Sequence, residues 1–348
     1  MEPIQSLIPI IMFILDGSSS SLNPSPNSDA LESTMMQKLE LATTDTDFSF
    51  ITEANNGRQF SYNVGSSTLD TSYESASTSK WVTGAIVLWY AQQGSISLSS
   101  KPQDFLDYWP NTGSLSNITV EQLLSFTSGL NNAPPCVFLA NADYLTCVER
   151  ILEVNESINE PGSEFYYGPS HMQVVGAMLI EALGVNSWAE VFTDFKTETG
   201  LFSNSSYSKP SLTNPRLAGG MEWTANDYMG FLRALYRGNL LTTTYRNALF
   251  ADQLETASIV LSPSINDLNE DWHYAQGVWL ECRATVFNCN APFRFSSPGS
   301  FGAYPFIDFE NNYFGIVARQ GETSTSEEGV LLFREVDAEL SQWSQLNN

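Results

Sequence analysis

The segment Ser77-Thr78-Ser79-Lys80 places a hydroxyl and an amine three residues apart. In a helix, Ser77 and Lys80 lie one above the other on the same face, within reach of a hydrogen bond. A serine hydroxyl needs a base to become a nucleophile, and a lysine can serve when burial and neighbouring charges lower its pKa towards neutral. A helix N-terminus also supplies free N–H groups that stabilise a developing oxyanion. The segment therefore predicts a serine nucleophile with a lysine base.

The same pattern occurs a second time at Ser206-Tyr207-Ser208-Lys209, so the motif alone is weakly specific. The second copy runs into Pro210 and opens no amphipathic helix. The first copy opens a helix predicted from about Thr78 to Gln93, in which apolar residues recur at helical spacing at Val82, Ala85, Ile86 and Trp89. We therefore assign the chemistry to Ser77 and Lys80, against the alternative that Ser77 only caps a surface helix.

The sequence lacks the residue patterns that other nucleophilic mechanisms and metal-dependent mechanisms require. The chain has two histidines, His171 and His273, and no G-x-S-x-G motif. Neither histidine belongs to an H-E-x-x-H or cysteine-paired pattern, which argues against a Ser-His-Asp hydrolase and against a zinc enzyme. We expect neither a metal nor an organic cofactor.

The charge of the chain restricts its partners. The 348 residues include 39 acidic and 15 basic side chains, which gives a formal net charge of −24. Nucleic acids are bound through clustered Lys and Arg, so this composition excludes most nucleic-acid binding. A small ester, amide or peptide is the expected partner.

The cysteines and sequons favour an oxidising compartment. The four cysteines form two close pairs, and we predict disulfides between Cys136 and Cys147 and between Cys282 and Cys289. Three N-x-S/T sequons, at Asn117, Asn155 and Asn204, agree with a secreted glycoprotein.

The N-terminus predicts a secretory leader. The apolar run from Leu7 to Leu15 is too short to span a bilayer and is typical of a signal-peptide core, although Glu2 stands where a basic residue is expected. Ser18 to Asp29 is rich in Ser, Asn and Pro, as linkers are. We assign residues 1–29 to a leader and linker, and expect a secreted protein without a membrane span.

The rest of the chain, residues 30–348, predicts one folded body. A hairpin is indicated at Asp47 to Ala54 and Arg58 to Gly65, and later strands at Tyr274 to Arg283, Ser300 to Asp308 and Tyr313 to Arg319, before a last helix at Arg334 to Leu346. Helical patterns dominate between them. We therefore predict an α/β fold of the α+β type, with an antiparallel sheet built from about 30–76 and 272–348 and flanked by helices, and an inserted all-helical region at about 77–271.

Four segments, in order, resemble motifs of the serine β-lactamase and penicillin-binding-protein superfamily, in particular class C β-lactamases and esterases of the β-lactamase type. They are Ser77-Thr-Ser-Lys80, Ile118-Thr-Val-Glu-Gln-Leu-Leu-Ser-Phe-Thr-Ser-Gly-Leu130, Pro161-Gly-Ser-Glu-Phe-Tyr-Tyr167 and Leu217-Ala-Gly-Gly-Met-Glu-Trp-Thr-Ala-Asn-Asp227. The resemblance spans most of the chain. It implies a β-lactamase/transpeptidase-like fold and a hydrolase that works through an acyl-enzyme.

The resemblance implies that Tyr167 is the tyrosine that shares proton transfer with the lysine, the alternative being a core tyrosine with a satisfied hydroxyl. The third position of the Y-x-N motif holds Pro169, so the expected amide contact to substrate is lost unless Ser170 replaces it. His171 either lines the cleft or is a polar residue at a helix start.

The third motif of the superfamily, K-T-G or H-x-G, falls on Ser297-Pro298-Gly299. The resemblance implies that the N–H groups of Ser300 and Ser77 form the oxyanion hole. No lysine follows Lys209 and no histidine follows His273, so the usual cation of this motif is absent. Arg294 and Arg319 are possible substitutes, unless each is an ion-paired or surface arginine.

The sequence thus predicts a secreted serine hydrolase that forms an acyl-enzyme at Ser77 and acts on small esters or amides. Three alternatives stay open: an inactive binding protein of the same fold that takes a peptide or glycan, a true β-lactamase or D-Ala-D-Ala carboxypeptidase, and a structural surface glycoprotein. In a protein that had lost its activity, substitutions should accumulate at the nucleophile and the base as readily as at substrate-binding positions. Both Ser77 and Lys80 are present, which favours an active enzyme.

Overall fold

The computed structural model of the chain describes residues 27–291 and 293–348. The predicted leader, Leu7 to Leu15, and most of the linker lie outside these residues. The helices are α1 (Ser28–Leu41), α2 (Ser79–Gln92), α3 (Val120–Leu124), α4 (Tyr144–Val154), α5 (Ser170–Leu183), α6 (Trp188–Thr199), α7 (Ala225–Tyr236), α8 (Thr243–Leu249) and α9 (Ser326–Leu346). The strands are β1 (Phe48–Ala54), β2 (Gln59–Asn63), β3 (Ser72–Glu74), β4 (Glu164–Tyr166), β5 (Ser206–Tyr207), β6 (Met221–Thr224), β7 (Ser258–Leu261), β8 (His273–Tyr274), β9 (Trp279–Leu280), β10 (Arg294–Ser296), β11 (Tyr304–Asp308) and β12 (Tyr313–Arg319).

The main sheet joins the two ends of the chain, as predicted. Its seven strands run antiparallel in the order β2-β1-β12-β11-β10-β9-β8. Every residue of β1, β11 and β12 is buried. Helices α7 and α9 both pack against β11 and β12. Since strands buried on both faces need cover on both sides, the sheet is a central layer between helices.

The inserted region is mainly helical and not all-helical as predicted, because the short strands β4 to β7 lie within it and form parts of two small sheets. Its helix α2 is buried along nearly its whole length. Lys80 and Gly84, on α2, meet the turn that joins β8 to β9. A Cβ on Gly84 would lie 2.2 Å from the Gln276 carbonyl oxygen, and one on Gly277 would lie 2.4 Å from the Lys80 carbonyl oxygen. Glycine is required at both positions because the two backbones touch, and this contact fixes α2 against the sheet edge.

Three predicted elements differ in extent. The strand expected from Ser300 to Asp308 begins only at Tyr304. The single strand expected from Tyr274 to Arg283 is a hairpin of β8 and β9, because Gly277 adopts a φ of 89° and turns the chain. The last helix begins at Ser326, ahead of the predicted Arg334. No single helix among the described residues combines the length and apolar composition needed to cross a membrane, while the bent pair α5 and α6, meeting at 71°, satisfies both criteria together.

Both predicted cysteine pairs are at bonding distance. The Cα atoms are 5.7 Å apart for Cys136 and Cys147 and 5.6 Å apart for Cys282 and Cys289. The first pair ties the short helical turn Pro135–Phe138 to α4, and the second closes the connection between β9 and β10.

Replacing Cys136 and Cys147 together by serine is expected to lower the free energy of unfolding by about 2 to 3 kcal/mol, because the bond restricts the unfolded chain over a short loop. Chemical denaturation of the double variant and the native protein measures the difference. Non-reducing peptide mapping should recover each pair joined, and free thiols or crossed pairs would contradict the assignment.

Candidate active site

The predicted nucleophile and base lie together at the start of α2. A helical turn, Ala76–Thr78, leads directly into the helix. Lys80 Nζ lies 2.8 Å from Ser77 Oγ, in hydrogen-bond contact. Ala76 has a φ of 44°, a conformation that costs energy for a residue with a side chain. The backbone strain is therefore located directly before Ser77.

The Lys80 amine is held in a buried environment that favours its neutral form. The side chain is almost fully buried, and Nζ also donates to the Ala218 carbonyl oxygen at 2.7 Å. Burial, and secondly the positive charge of Arg216, hold the pKa of Lys80 well below its ordinary value. A neutral amine can accept the Ser77 proton while still donating to Ala218, so the pair has the geometry of base and nucleophile.

Tyr167 adjoins this pair. Its ring centroid is 4.4 Å from Lys80 Nζ, and its ring stacks on Trp279 at a centroid distance of 5.1 Å. Burial raises the pKa of the Tyr167 hydroxyl, and the neighbouring polar groups of Ser77 and Trp279 offset only part of that rise. The hydroxyl therefore stays protonated at neutral pH and can donate a proton beside Ser77.

The third-motif residues contact the turn that carries Ser77. Ser297 Oγ donates to the Ser77 carbonyl oxygen at 3.1 Å, and Ser297 is buried. Gly299 lies in the connection between β10 and β11, and a Cβ there would lie 2.5 Å from the Ser75 carbonyl oxygen, so only glycine lets the chain pass so close. Ser297 thus supports the backbone of the nucleophile, and Gly299 permits the approach.

Two backbone N–H groups are available for an oxyanion. Ser77 and Ser300 both line the cleft, and neither N–H donates to a backbone carbonyl within the described residues. Preorganised N–H donors of this kind stabilise the negative charge that develops on a carbonyl oxygen under attack. Ser77 and Ser300 therefore stay the predicted donors of the oxyanion hole that the resemblance implies.

Ser170 and His171 do not line the cleft. Ser170 Oγ donates to the Asn132 carbonyl oxygen at 2.7 Å and is buried, so it cannot replace the missing amide of the Y-x-N motif. His171 is fully buried: Nδ1 lies 2.7 Å from Ser128 Oγ and Nε2 lies 3.0 Å from the Tyr166 carbonyl oxygen. Burial first, and then Lys80, lower the pKa of His171 to about 3. The expectation of substrate contacts at these residues is wrong, and His171 is the polar residue at a helix start.

The two arginines considered as substitutes for the third-motif cation are occupied elsewhere. Arg294 forms ion pairs with Asp308 at 2.9 Å and Asp337 at 2.8 Å. Arg319 is fully buried and pairs with Asp45. Neither lines the cleft, so the prediction that Arg294 binds substrate is wrong, and the ion-paired alternative is what the structure shows.

Ser77 lies between two adjoining cavities that share Ser77, Tyr167 and Ser300. The larger, of about 310 Å³, is walled by Trp272 and Trp279 and carries the carboxyl groups of Asp267 and Glu327; we call it the acidic lobe. The smaller, of about 180 Å³, is lined by Phe138, Pro169 and Arg216; we call it the arginine lobe.

Sequence reasoning did not find the charged residues of the two lobes, Arg216, Asp267 and Glu327. The one available signal was position, since Arg216 directly precedes the Leu217-Ala-Gly-Gly segment. In residues 27–291 and 293–348, no three His, Cys, Asp or Glu side chains are grouped to hold a metal ion.

Comparison with known proteins identifies the family and the fold. A family model described as Beta-lactamase matches residues 51–338. Protein flp of Staphylococcus aureus (strain MW2) is 30% identical over 129 residues, which are 36% of this chain and 26% of that protein. The match thus spans about a quarter of that relative's length.

Solved structures share the fold over nearly the whole chain. A candidate beta-lactamase from Bacteroides dorei DSM 17855 is 25% identical, with a TM-score of 0.74 over 91% of this chain and 99% of that one. D-amino acid amidase from Ochrobactrum anthropi SV3 is 14% identical, with a TM-score of 0.69 over 90% and 98%. EstCE1, a hydrolase with promiscuous acyltransferase activity, is 16% identical, with a TM-score of 0.69 over 89% and 99%.

Proposed function

The chain belongs to the beta-lactamase family, and from that premise we propose that it is a serine hydrolase which forms an acyl-enzyme at Ser77 and acts on small esters or amides. The observation that carries the proposal is the 2.8 Å contact between Ser77 Oγ and the buried Lys80 amine. An inactive binding protein has no need of a buried lysine with a lowered pKa, which costs folding free energy.

The acylation step follows from the geometry. Neutral Lys80 takes the Ser77 proton as Oγ attacks the carbonyl carbon of the substrate. The carbonyl oxygen becomes an oxyanion and accepts hydrogen bonds from the N–H groups of Ser77 and Ser300. Tyr167 donates its proton to the leaving alkoxide or amine and is reprotonated by Lys80.

Deacylation reverses these roles with water as the nucleophile. Lys80, neutral again, takes a proton from the water that attacks the acyl carbon, while Tyr167 gives its proton to Ser77 Oγ as the ester bond breaks and is then reprotonated by Lys80. Each proton that leaves Ser77, Lys80 or Tyr167 is returned within the cycle, so the protein ends unchanged.

The substrate class follows from the charge beside the third motif. Ser297, Pro298 and Ser300 offer no cation, and the acidic lobe next to them carries Asp267 and Glu327. Charge-assisted hydrogen bonds are about twice as strong as neutral ones, so a substrate whose carboxylate depends on that cation is bound weakly. β-Lactams and D-Ala-D-Ala peptides are such substrates in the resembling superfamily.

We expect kcat/KM for p-nitrophenyl acetate or butyrate to exceed that for nitrocefin, because the esters need no cation at the third motif. Spectrophotometric assays of one preparation make the comparison. Faster hydrolysis of nitrocefin would overturn the ester preference, and hydrolysis of neither, together with no acylation of Ser77, would overturn the proposed function.

We also propose that the protein is secreted, which the two cysteine pairs support. Glycosylation is proposed at Asn117 and Asn204, which are exposed. Asn155 is buried, and its Nδ2 donates to the carbonyl oxygens of Asn132 and Ile151. This buried amide cannot carry a glycan in the folded protein, so the sequon at Asn155 is excluded.

A further inference from the structure

Arg216 is a cation of the cleft that has no carboxylate partner in residues 27–291 and 293–348. Eight other arginines form ion pairs within the described residues: Arg58, Arg150, Arg233, Arg237, Arg283, Arg294, Arg319 and Arg334. The guanidinium of Arg216 makes one long hydrogen bond, from Nη2 to the Gly219 carbonyl oxygen at 3.4 Å, and lies over the Phe138 ring at 5.4 Å. The chain has 39 acidic residues, so most of its arginines pair with a carboxylate. Arg216 lines a cavity instead.

Glu74, the carboxyl group whose charge acts on Arg216, is already engaged in an ion pair. Glu74 forms an ion pair with Lys209, with Nζ 3.0 Å from Oε1, and the same Nζ lies 3.5 Å from Oε1 of Glu222. Partial burial of Arg216 lowers its pKa, and Glu74 compensates only in part. A guanidinium that is partly removed from water and has no opposite charge beside it is stabilised when an anion binds to it.

The guanidinium lies close to the nucleophile's backbone. A Cβ on Gly219 would lie 3.1 Å from Arg216 Nε and 3.5 Å from the carbonyl carbon of Ala76, the residue before Ser77. Arg216, Ser77 and Ser300 line the same cavity of about 180 Å³. A substrate with its carbonyl at Ser77 can therefore extend a short chain to Arg216.

The acidic lobe and the arginine lobe carry opposite charges on the two sides of Ser77. Asp267 and Glu327 line this lobe, on the other side of Ser77 from Arg216. The described lining of the lobe contains no lysine or arginine that could neutralise them. Asp267 accepts a hydrogen bond from Ser326 Oγ at 2.6 Å. Like charges repel an anion there, and the same anion is attracted in the arginine lobe. The two lobes thus select opposite ends of a substrate.

We propose that Arg216 binds a carboxylate of the substrate, so that the preferred esters or amides carry an anionic group on one side of the scissile carbonyl and a neutral or cationic group on the other. The proposal rests on the proposed function and names its substrate class. A guanidinium binds a carboxylate through two parallel hydrogen bonds, which fixes the orientation of the substrate as well as its affinity.

The test compares matched ester pairs, one pair for each half of the substrate. Mono-p-nitrophenyl adipate against p-nitrophenyl hexanoate places the carboxylate on the acyl chain. 4-Acetoxybenzoate against its methyl ester places the carboxylate on the leaving group. The measured quantity is the ratio of kcat/KM for the anionic ester to that for its neutral partner, which cancels changes common to both.

The native protein is expected to favour the anionic ester in one pair, and Arg216→Gln to lower that ratio about tenfold or more, as for loss of a hydrogen bond between charged groups. Arg216→Lys should restore part of it. The matched control is Arg246→Gln, since Arg246 also lacks an ion pair among the described residues but contacts Phe309 outside both lobes. Equal ratios in the native protein and Arg216→Gln, for both pairs, would overturn the inference. Loss of neutral-ester hydrolysis in Ser77→Ala separates that outcome from failure of the proposed function.

Discussion

Ser77→Ala is expected to abolish covalent labelling by a fluorophosphonate or penicillin-type probe, and to lower ester hydrolysis by several orders of magnitude. The probe forms its bond with Ser77 Oγ, and no other hydroxyl contacts the Lys80 amine within the described residues. Residues that act as a unit in catalysis are individually indispensable, so a partial loss is not expected. Mass spectrometry of the labelled protein identifies the modified residue.

The chain supplies its own matched control in the second S-x-x-K segment. Lys209 pairs with Glu74 and Glu222, and Ser206 lies in β5, so this copy has no helical geometry. Ser206→Ala should keep full labelling. Labelling that survives in Ser77→Ala, or is lost in Ser206→Ala, would refute the assignment of the nucleophile.

The parts of the site that the sequence predicts are those set by local geometry. Ser77 and Lys80 are three residues apart on one helix, so the contact follows once the helix is recognised. Tyr167 and Ser300 are far away in sequence, and they were placed through the resemblance rather than through spacing. The antiparallel sheet was predictable because strand patterns at both chain ends bracket a helical middle.

The parts that the sequence did not predict depend on which charges meet in the folded protein. Arg294 was expected at the cleft, yet its partners Asp308 and Asp337 come from β11 and α9. Arg216 was overlooked because nothing local reveals that Lys209 takes the carboxylate of Glu74. Ion pairing is a tertiary property, and neither periodicity nor motif spacing reports it.

Lys80→Met is expected to eliminate ester hydrolysis and, at the same time, to change the pH dependence of stability. Methionine keeps most of the buried volume and removes the base, so the rate should fall by several orders of magnitude. Lys38→Met, at a lysine paired with Glu339 between α1 and α9, should retain the activity.

The stability effect follows from the direction of the pKa shift. Because the pKa of Lys80 is well below its ordinary value in the folded protein, the unfolded chain binds an additional proton in the pH window between the two values. Stability of the native protein therefore rises with pH through that window, and this contribution is absent from Lys80→Met. The Tm of the variant should exceed that of the native protein by most at the lower end of the window, and the difference in Tm should shrink as the pH approaches 10.

Thermal unfolding of both proteins at several pH values measures this difference. A difference that stays constant or grows with pH would mean that Lys80 remains charged in the folded protein, and the role of the amine as the base would be lost.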